Sequence, residues 1–138
     1  MMWHPALLIG DDDRLLRETL GEVFRPRGFR TFLAADGEEV LSILRANEIH
    51  VALLDLHMPK LSGLEAIRAV RELRLSLPCV LVSANFDEQI RAQARLLEVV
   101  RLLAKPFSLE EVVRTVLEIM EERYGNYVPQ FPTKGLKN

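Results

Sequence analysis

The sequence predicts an α/β fold in which a five-stranded parallel sheet is covered by helices on both faces. Short apolar runs alternate with stretches of helical spacing five times along the chain. The runs are unbroken rather than alternating, which is typical of strands buried on both faces. Each run is followed by a segment long enough for the crossover helix that parallel pairing requires. At 138 residues the chain has room for one domain with a sizeable core.

The first strand and helix are predicted at Ala6–Gly10 and Arg14–Arg25. The strand is an apolar run that ends in three carboxylates, and the helix follows them with apolar residues at turn spacing. We expect the buried face of this helix to consist of Leu15, Leu16, Leu20, Val23 and Phe24. Pro26 does not continue a helix comfortably and Gly28 can end one, so the helix should stop before them.

The second and third strands are predicted at Phe29–Ala34 and Val51–Leu54. Between them, Asp36-Gly37 forms a turn before a short helix at Glu38–Asn47. Its inward residues are Val40, Leu41 and Leu44. Asp55 comes directly after the third apolar run, which places a carboxylate at the end of a buried strand. Pro59 and Gly63 bound the loop that follows, and the third helix is predicted from Gly63 to Leu73.

The fourth strand is predicted at Cys79–Val82 and ends in Ser83, and the helix after it at Glu88–Leu97 has Asp87 as its cap. The fifth strand, Val99–Ala104, ends in Lys105-Pro106. Ser108 with Glu111 three residues later has the pattern of a capping box. The final helix is expected to run to about Arg123 and to bury Leu109, Val112, Val113, Val116 and Met120.

The predicted domain therefore covers residues 5–123, and residues 124–138 are expected to form a tail or part of a linker. This last segment has two prolines, two glycines and no periodicity. Whether it ends the native protein or leads to an output domain is left open by the sequence.

Composition excludes several classes of function. A net charge of −2 argues against general binding of nucleic acid or anionic membranes, since both require a basic surface. The single cysteine, Cys79, excludes an internal disulfide and suits a reducing compartment. No apolar run approaches the roughly 18 residues of a membrane span, and the N-terminus has no secretory signal. We therefore expect a cytoplasmic protein.

Polar residues follow four of the predicted strands, and parallel strands end at the same edge of a sheet. We expect Asp11, Asp12, Asp55, Ser83 and Lys105 to meet there. Crowded carboxylates repel one another, so one of them should have a raised pKa unless a cation lies among them. Hard oxygen ligands without a histidine or thiolate cluster favour Mg²⁺. Lys105 and Ser83 suit a phosphoryl oxygen, which indicates phosphoryl transfer onto Asp55 as nucleophile.

The chain resembles the receiver domain of two-component response regulators over about residues 5–123. The resemblance lies in the acidic pair Asp11-Asp12, the phosphoacceptor position Asp55, the loop from Met58-Pro59 to Gly63, the pair Ser83-Ala84, and Lys105-Pro106-Phe107. It implies a flavodoxin-like, CheY-like sheet in the order 2-1-3-4-5 and a cis Lys105-Pro106 bond. It also implies that Mg²⁺ is held by Asp12, Asp55 and the backbone carbonyl of His57, with Asp11 acting through water.

The function implied by this resemblance is a signalling switch. Asp55 would accept a phosphoryl group from a histidine kinase or a histidine phosphotransferase in a Mg²⁺-dependent reaction, and the domain would shift to an active conformation. The protein would then not be an enzyme beyond the phosphorylation and dephosphorylation of its own Asp55. One alternative is an aspartyl-phosphate phosphohydrolase, although His57 stands where such enzymes have an acid/base Asp. Another is a scaffold that works without phosphorylation.

Three positions depart from the pattern of the family. Leu102 stands where an aromatic is usual, Leu97-Glu98-Val99 where a glycine is usual, and Gly10 where a larger apolar residue is common. The first two concern how the switch is read, for which we expect an incomplete shift and weak homodimerisation through the fourth helix, fifth strand and fifth helix. His4 and His50 are expected at the surface, and Cys79 as an inert buried thiol. The cognate kinase, the pathway and the output partner are left open.

Overall fold

The structure is a computed structural model that describes residues 3–125, and it contains one five-stranded parallel sheet in the order 2-1-3-4-5. The strands are β1 (Ala6–Gly10), β2 (Arg30–Ala34), β3 (Val51–Asp55), β4 (Cys79–Ser83) and β5 (Arg101–Ala104). The helices are α1 (Arg14–Phe24), α2 (Gly37–Ala46), α3 (Gly63–Glu72), α4 (Glu88–Leu96) and α5 (Leu109–Arg123), and a 3₁₀ turn spans Arg25–Arg27. The predicted fold class and strand order are confirmed.

The strands separate two apolar layers because successive side chains point to opposite faces. Leu7 and Ile9 of β1 pack with α1 and α5 on one face of the sheet. Leu8, between them, packs with α2 and α3 on the other face. Strands β1, β3 and β4 are buried along their whole length, whereas β2 and β5 lie at the edges and are partly exposed.

Each α-helix begins at a side chain that accepts a hydrogen bond from its first turn, as Asp, Ser and Thr caps do. The five caps are Asp13, Asp36, Ser62, Asp87 and Ser108. Among the described residues, the reciprocal capping box occurs at Ser62 and Glu65. Ser108 makes only its own half of the box, by accepting from the backbone of Glu111. None of the helices within residues 3–125 is long and apolar enough to cross a bilayer.

Two leucines predicted to be buried are exposed. Leu15 of α1 is 75% exposed because the stripe that meets the sheet runs through Leu20 and Phe24, and Leu15 lies to one side of it. Leu109 is 44% exposed. It is the first residue of α5, and a helical side chain leans toward the N-terminus, past the end of its own helix.

The fifth strand begins two residues later than predicted, at Arg101. The reason is that Val99 donates its N–H to Ala94 and closes the end of α4 instead. Glu98, at the position where glycine is usual, adopts a left-handed φ of 58°. Arg71 of α3 donates hydrogen bonds to the carbonyls of Leu97 and Glu98, and so holds this turn without a glycine.

The expectation that His50 lies at the surface is wrong. His50 is buried at the N-terminal edge of the sheet, where its Nδ1 accepts a hydrogen bond from the backbone of Ala6 at 2.9 Å. Its ring meets Trp3 and Tyr124 edge to face. Tyr124, which we assigned to the tail, donates its hydroxyl to the carbonyl of His50 at 2.7 Å. The rest of the expected tail, residues 126–138, lies outside the described residues.

The remaining single-residue expectations agree with the structure. His4 is exposed. Cys79 is buried within β4, and this burial raises the pKa of its thiol to about 11. The space beside Gly10 is filled by its neighbours, since a Cβ there would lie 2.8 Å from Leu54 Cδ2 and 3.0 Å from Val40 Cγ2. These larger side chains explain why a glycine fits at this point of β1.

Candidate functional site

The last residues of two neighbouring strands and the residues that follow two others converge at one edge of the sheet. Asp11 follows β1, Asp55 ends β3, Ser83 ends β4 and Lys105 follows β5. Asp11, Asp55 and Ser83 are buried, although each is polar. Cross-strand backbone bonds hold the ends in register, for example Lys105 N–H to the carbonyl of Ser83 at 2.9 Å. The structure therefore brings together the strand-end residues that the sequence predicted would meet.

Asp11 is the most constrained of the acidic residues. Its Oδ1 accepts the backbone N–H of Asp13 at 2.9 Å, and its Oδ2 lies 3.1 Å from Lys105 Nζ. Its own N–H donates to the carbonyl of Ala34, which ties the β1–α1 loop to β2. Both carboxylate oxygens of Asp11 are thus already engaged.

Asp12 differs from Asp11 because it is exposed and its carboxylate makes no hydrogen bond or ion pair with residues 3–125. Even so, one oxygen from each of Asp11, Asp12 and Asp55 can lie within 4.8 Å of the others. Three carboxylate oxygens at this separation, with no thiolate among them, fit a hard divalent cation such as Mg²⁺. The chemistry of the donor set therefore suits the ion that the sequence predicted.

The pKa of Asp55 depends on its burial and on the charged groups around it. Burial, together with the neighbouring charge of Asp11, raises the pKa of the Asp55 carboxyl above its ordinary value, and Lys105 opposes the rise. Lys105 Nζ lies 3.3 Å from Asp55 Oδ2, and its two carboxylate partners outweigh burial and raise the pKa of the lysine. The direction agrees with the raised pKa expected of one carboxyl in the cluster, but burial contributes more to it than the repulsion on which that expectation was based.

The Ser83 hydroxyl makes two hydrogen bonds, both with the backbone of Asn85. It donates to the carbonyl of Asn85 at 3.0 Å and accepts the N–H of Asn85 at 3.2 Å. This hydroxyl would have to exchange one of these bonds in order to meet a new oxygen near Asp55. His57 is exposed, and its backbone N–H lies 3.5 Å from Asp55 Oδ1.

Two contacts that support the site were not predicted from the sequence, one made by Arg17 and one by Gly63. Arg17 of α1 donates from Nη1 to the backbone carbonyl of Asp11 at 2.7 Å. A Cβ at Gly63 would lie 2.5 Å from the backbone oxygen of Asp55, so only glycine permits this close approach of α3 to β3. No spacing in the sequence indicates the contact of Arg17, because its acceptor is a backbone carbonyl six positions earlier.

An apolar cleft of about 520 Å³ adjoins the site on the side of Lys105. It runs between α1 and the β5–α5 loop, and its lining includes Leu15, Leu16, Thr19, Ala84, Pro106 and Phe107. The bond between Lys105 and Pro106 is cis, as the resemblance implied. The exposed Leu15 is thus part of the wall of a cleft next to the acidic cluster.

Comparison with known proteins gives the family. The family model described as the response regulator receiver domain matches residues 7–117, which include β2 to β5, all but the first residue of β1, and all of the site. This chain is a response regulator receiver domain. Response regulator receiver domains are phosphoacceptor switches, and in this one the acidic pair follows β1, Asp55 ends β3, Ser83 ends β4 and Lys105 follows β5.

Individual relatives agree with this assignment. The receiver domain is 30% identical to Response regulator RR06 of Streptococcus pneumoniae, over 86% of this chain and 54% of that protein. It is 28% identical to Sporulation initiation phosphotransferase F of Bacillus subtilis, over 80% of this chain and 90% of that protein. The receiver domain of the Francisella response regulator 1452 superposes with a TM-score of 0.80 at 26% identity, covering 87% of this chain and 99% of that one. The chain spans about half the length of RR06.

Proposed function

We propose that Asp55 is the side chain that accepts the phosphoryl group in this receiver domain. The observation that carries the proposal is the position of its carboxylate, at the end of the central strand, with Lys105 Nζ at 3.3 Å and two further acidic oxygens within 4.8 Å. An Asp55 oxygen attacks the phosphorus of a phosphohistidine, the P–N bond breaks, and the leaving imidazole takes a proton. The ion pair with Lys105 favours the ionised carboxylate that this attack requires.

The acidic cluster is the proposed Mg²⁺ site. Asp12, Asp55 and the backbone carbonyl of His57 would hold the ion, and Asp11 would act through water because both of its oxygens already have partners. When bound, Mg²⁺ supplies positive charge to the oxygens of the transferred group. Asp12, which is exposed and without a side-chain partner among residues 3–125, is free to turn toward the ion.

Lys105 and Ser83 are the proposed contacts to the phosphoryl oxygens. Lys105 already donates a hydrogen bond to Asp55 Oδ2. After phosphorylation it can donate instead to a phosphoryl oxygen on the same side chain. Ser83 lies on the neighbouring strand, and its hydroxyl can donate to the same group once it leaves the carbonyl of Asn85. The domain itself then carries out only the gain and loss of its own phosphoryl group.

The test is phosphorylation by acetyl phosphate with Mg²⁺, followed by intact mass. We expect one added phosphoryl group in the wild type and none in Asp55→Asn. A phosphoryl group mapped to any other residue would refute the assignment of Asp55. Consumption of donor far beyond one equivalent, without a stable phosphoprotein, would favour the phosphohydrolase alternative, whereas the family match favours the switch.

The proposed donor is a histidine kinase or a histidine phosphotransferase, which has to bring its phosphohistidine up to Asp55. The cleft lined by Lys105 offers an apolar surface next to the acidic cluster, and Leu15, which also lines it, is 75% exposed. Leu15→Glu should therefore slow transfer from a phosphorylated histidine protein but leave phosphorylation by acetyl phosphate unchanged. If phosphorylation by both donors slowed equally, the effect of Leu15→Glu would be on the folded structure rather than on docking of the histidine protein.

A further inference from the structure

Arg17 joins the first helix to the loop that carries the acidic pair. Its Nη1 donates a 2.7 Å hydrogen bond to the backbone carbonyl of Asp11, and its side chain is partly buried there. The backbone N–H of Arg17 also donates to the carbonyl of Asp13, the cap of the same helix. The loop from Asp11 to Asp13 is therefore pinned from one side by a residue of α1.

The carbonyl of Asp11 belongs to the peptide group that leads into Asp12. Because a peptide group is planar, a donor that fixes the direction of this carbonyl also fixes the direction in which the chain enters Asp12. The Asp12 side chain is exposed and forms no hydrogen bond or ion pair with residues 3–125, so its backbone is what aims it. Asp11 does not need this help, because its carboxylate is held by Asp13 and Lys105.

We infer that Arg17 is a positioning residue for the divalent cation, acting through the backbone that connects Asp11 to Asp12. The inference rests on the proposed function, since it takes the acidic cluster as the Mg²⁺ site. Arg17 does not contact the ion or the phosphoryl group in this account. It sets the direction of the peptide group before Asp12, while the N–H of Asp13 holds the peptide group after it.

Two consequences of replacing Arg17, the loss of its charge and the loss of its hydrogen bond, should change Mg²⁺ affinity in opposite directions. Arg17 is a cation near a cation site, so removal of its charge alone should strengthen Mg²⁺ binding. Loss of its hydrogen bond to Asp11 should weaken binding, because Asp12 is no longer directed. Partners of metal ligands commonly change affinity by about tenfold or more, and we expect about tenfold weaker Mg²⁺ binding in Arg17→Met, at the low end of that range.

The experiment is a Mg²⁺ titration of the full chain followed by amide chemical shifts, in wild type, Arg17→Met and Arg17→Lys. Trp3 fluorescence would not serve, because Trp3 packs on His50 at the opposite edge of the sheet. Arg17→Lys keeps the charge and a donor, so it should bind more tightly than Arg17→Met. The matched control is Arg14→Met on the same helix, whose guanidinium pairs with exposed Glu18 and should not affect Mg²⁺ binding.

Further variants keep the outcomes distinct. Asp12→Asn should abolish the shifts, and a wild type without any Mg²⁺-dependent shifts at the pocket would overturn the proposed metal site itself. If the wild type binds and Arg17→Met binds equally or more tightly, the inference about Arg17 alone is wrong. Should Arg17→Met lose its folded spectrum, the shorter Arg17→Gln is titrated instead, with the same weakening expected and the same result overturning the inference.

Discussion

Lys105 bridges two buried carboxylates of the pocket: its Nζ lies 3.3 Å from Asp55 Oδ2 and 3.1 Å from Asp11 Oδ2. The two carboxylates are buried and only partly compensated, which is why the pKa of Asp55 is raised although a lysine is near. A buried charge without a partner is costly. The lysine therefore occupies the place in the charge balance that a divalent cation would otherwise take.

Removal of this lysine should have opposite effects on stability and on metal binding. In the presence of chelator we expect Lys105→Met to lower the free energy of unfolding by about 1–3 kcal/mol, because two buried carboxylates lose a charged hydrogen-bond donor. Mg²⁺ should bind Lys105→Met more tightly than the wild type, since no ammonium competes for the same oxygens. Thermal unfolding with and without Mg²⁺ measures both effects. The control is Lys60→Met, whose ammonium faces Asp36 and Glu38 instead. Weaker Mg²⁺ binding in Lys105→Met would contradict this account.

His50 should make stability depend on pH. Burial, and to a smaller extent Arg30, lower the pKa of His50, while Glu48 acts in the opposite direction. At a pH between the two pKa values, His50 therefore binds a proton in the unfolded chain but not in the folded chain. The contribution of His50 to stability is complete above its unfolded pKa of about 6.5 and is lost as the pH falls from there through the folded pKa. Protonation at Nδ1 would also end the bond from Ala6.

The measurement is urea unfolding between pH 5 and 7.5, compared for two variants. His50→Asn keeps an acceptor near Ala6 but cannot become protonated, so its stability should fall less toward pH 5 than that of the wild type. His4→Gln is the control, because the His4 side chain is exposed and its ring lies in hydrogen-bond range of the carbonyl of Gly28. If the stability of His50→Asn fell toward pH 5 as steeply as that of the wild type, His50 would not be the source of the pH dependence.

Gly63 should be required for the position of Asp55. A Cβ at this residue would lie 2.5 Å from the backbone oxygen of Asp55 and 2.9 Å from Leu81 Cδ1, and the backbone contact cannot yield without moving the strand end. We expect Gly63→Ala to cost about 1–3 kcal/mol of stability, as overpacking does, and to slow phosphorylation by acetyl phosphate. Gly125→Ala is the matched control, since a Cβ there meets nothing within 4 Å. Normal rates in Gly63→Ala would show that β3 tolerates the displacement.

Arg71 should stabilise the end of α4. Its guanidinium donates to four carbonyl oxygens, those of Leu75, Leu77, Leu97 and Glu98. At about 0.5–1.5 kcal/mol each, and with part of the group exposed, Arg71→Met should lose about 2–4 kcal/mol of stability. Arg68→Met, on the exposed side of the same helix, should lose little. Glu98→Gly should recover part of the loss, because glycine adopts the left-handed φ without strain.

The response to phosphorylation should be incomplete because of Leu102. Its side chain packs on the core layer beside α4 and has no hydroxyl or ring with which to report a movement of Ser83. A new hydrogen bond from Ser83 to a charged oxygen contributes about 1.5–3 kcal/mol, which shifts a balanced equilibrium but does not invert a strongly biased one. We expect partial amide shifts in α4, β5 and α5 on phosphorylation, and larger ones in Leu102→Tyr. Shifts confined to the Asp55 pocket, with Arg91 and Glu111 unmoved, would contradict this.

The sequence by itself determined the sheet, its edge and the residues at that edge. Buried parallel strands read as unbroken apolar runs, and the residue after each run is placed by the strand rather than by distant contacts. Asp55 and Lys105 could therefore be predicted to meet although 50 positions separate them. The charge balance of the cluster followed from the same reasoning, because carboxylates confined to one edge must repel.

Only the tertiary structure decided which side chains support that edge and which do not. His50 accepts a hydrogen bond from Ala6, 44 residues away, and the bond from Arg71 to the end of α4 spans 26 residues. Leu15 has the helical spacing of a core residue, but it lies to one side of the stripe of Leu20 and Phe24 that meets the sheet. Arg17 points its guanidinium at a backbone carbonyl, which carries no signature in the sequence. Strand ends are local properties of the chain, whereas helix orientation and backbone contacts exist only once the layers have packed.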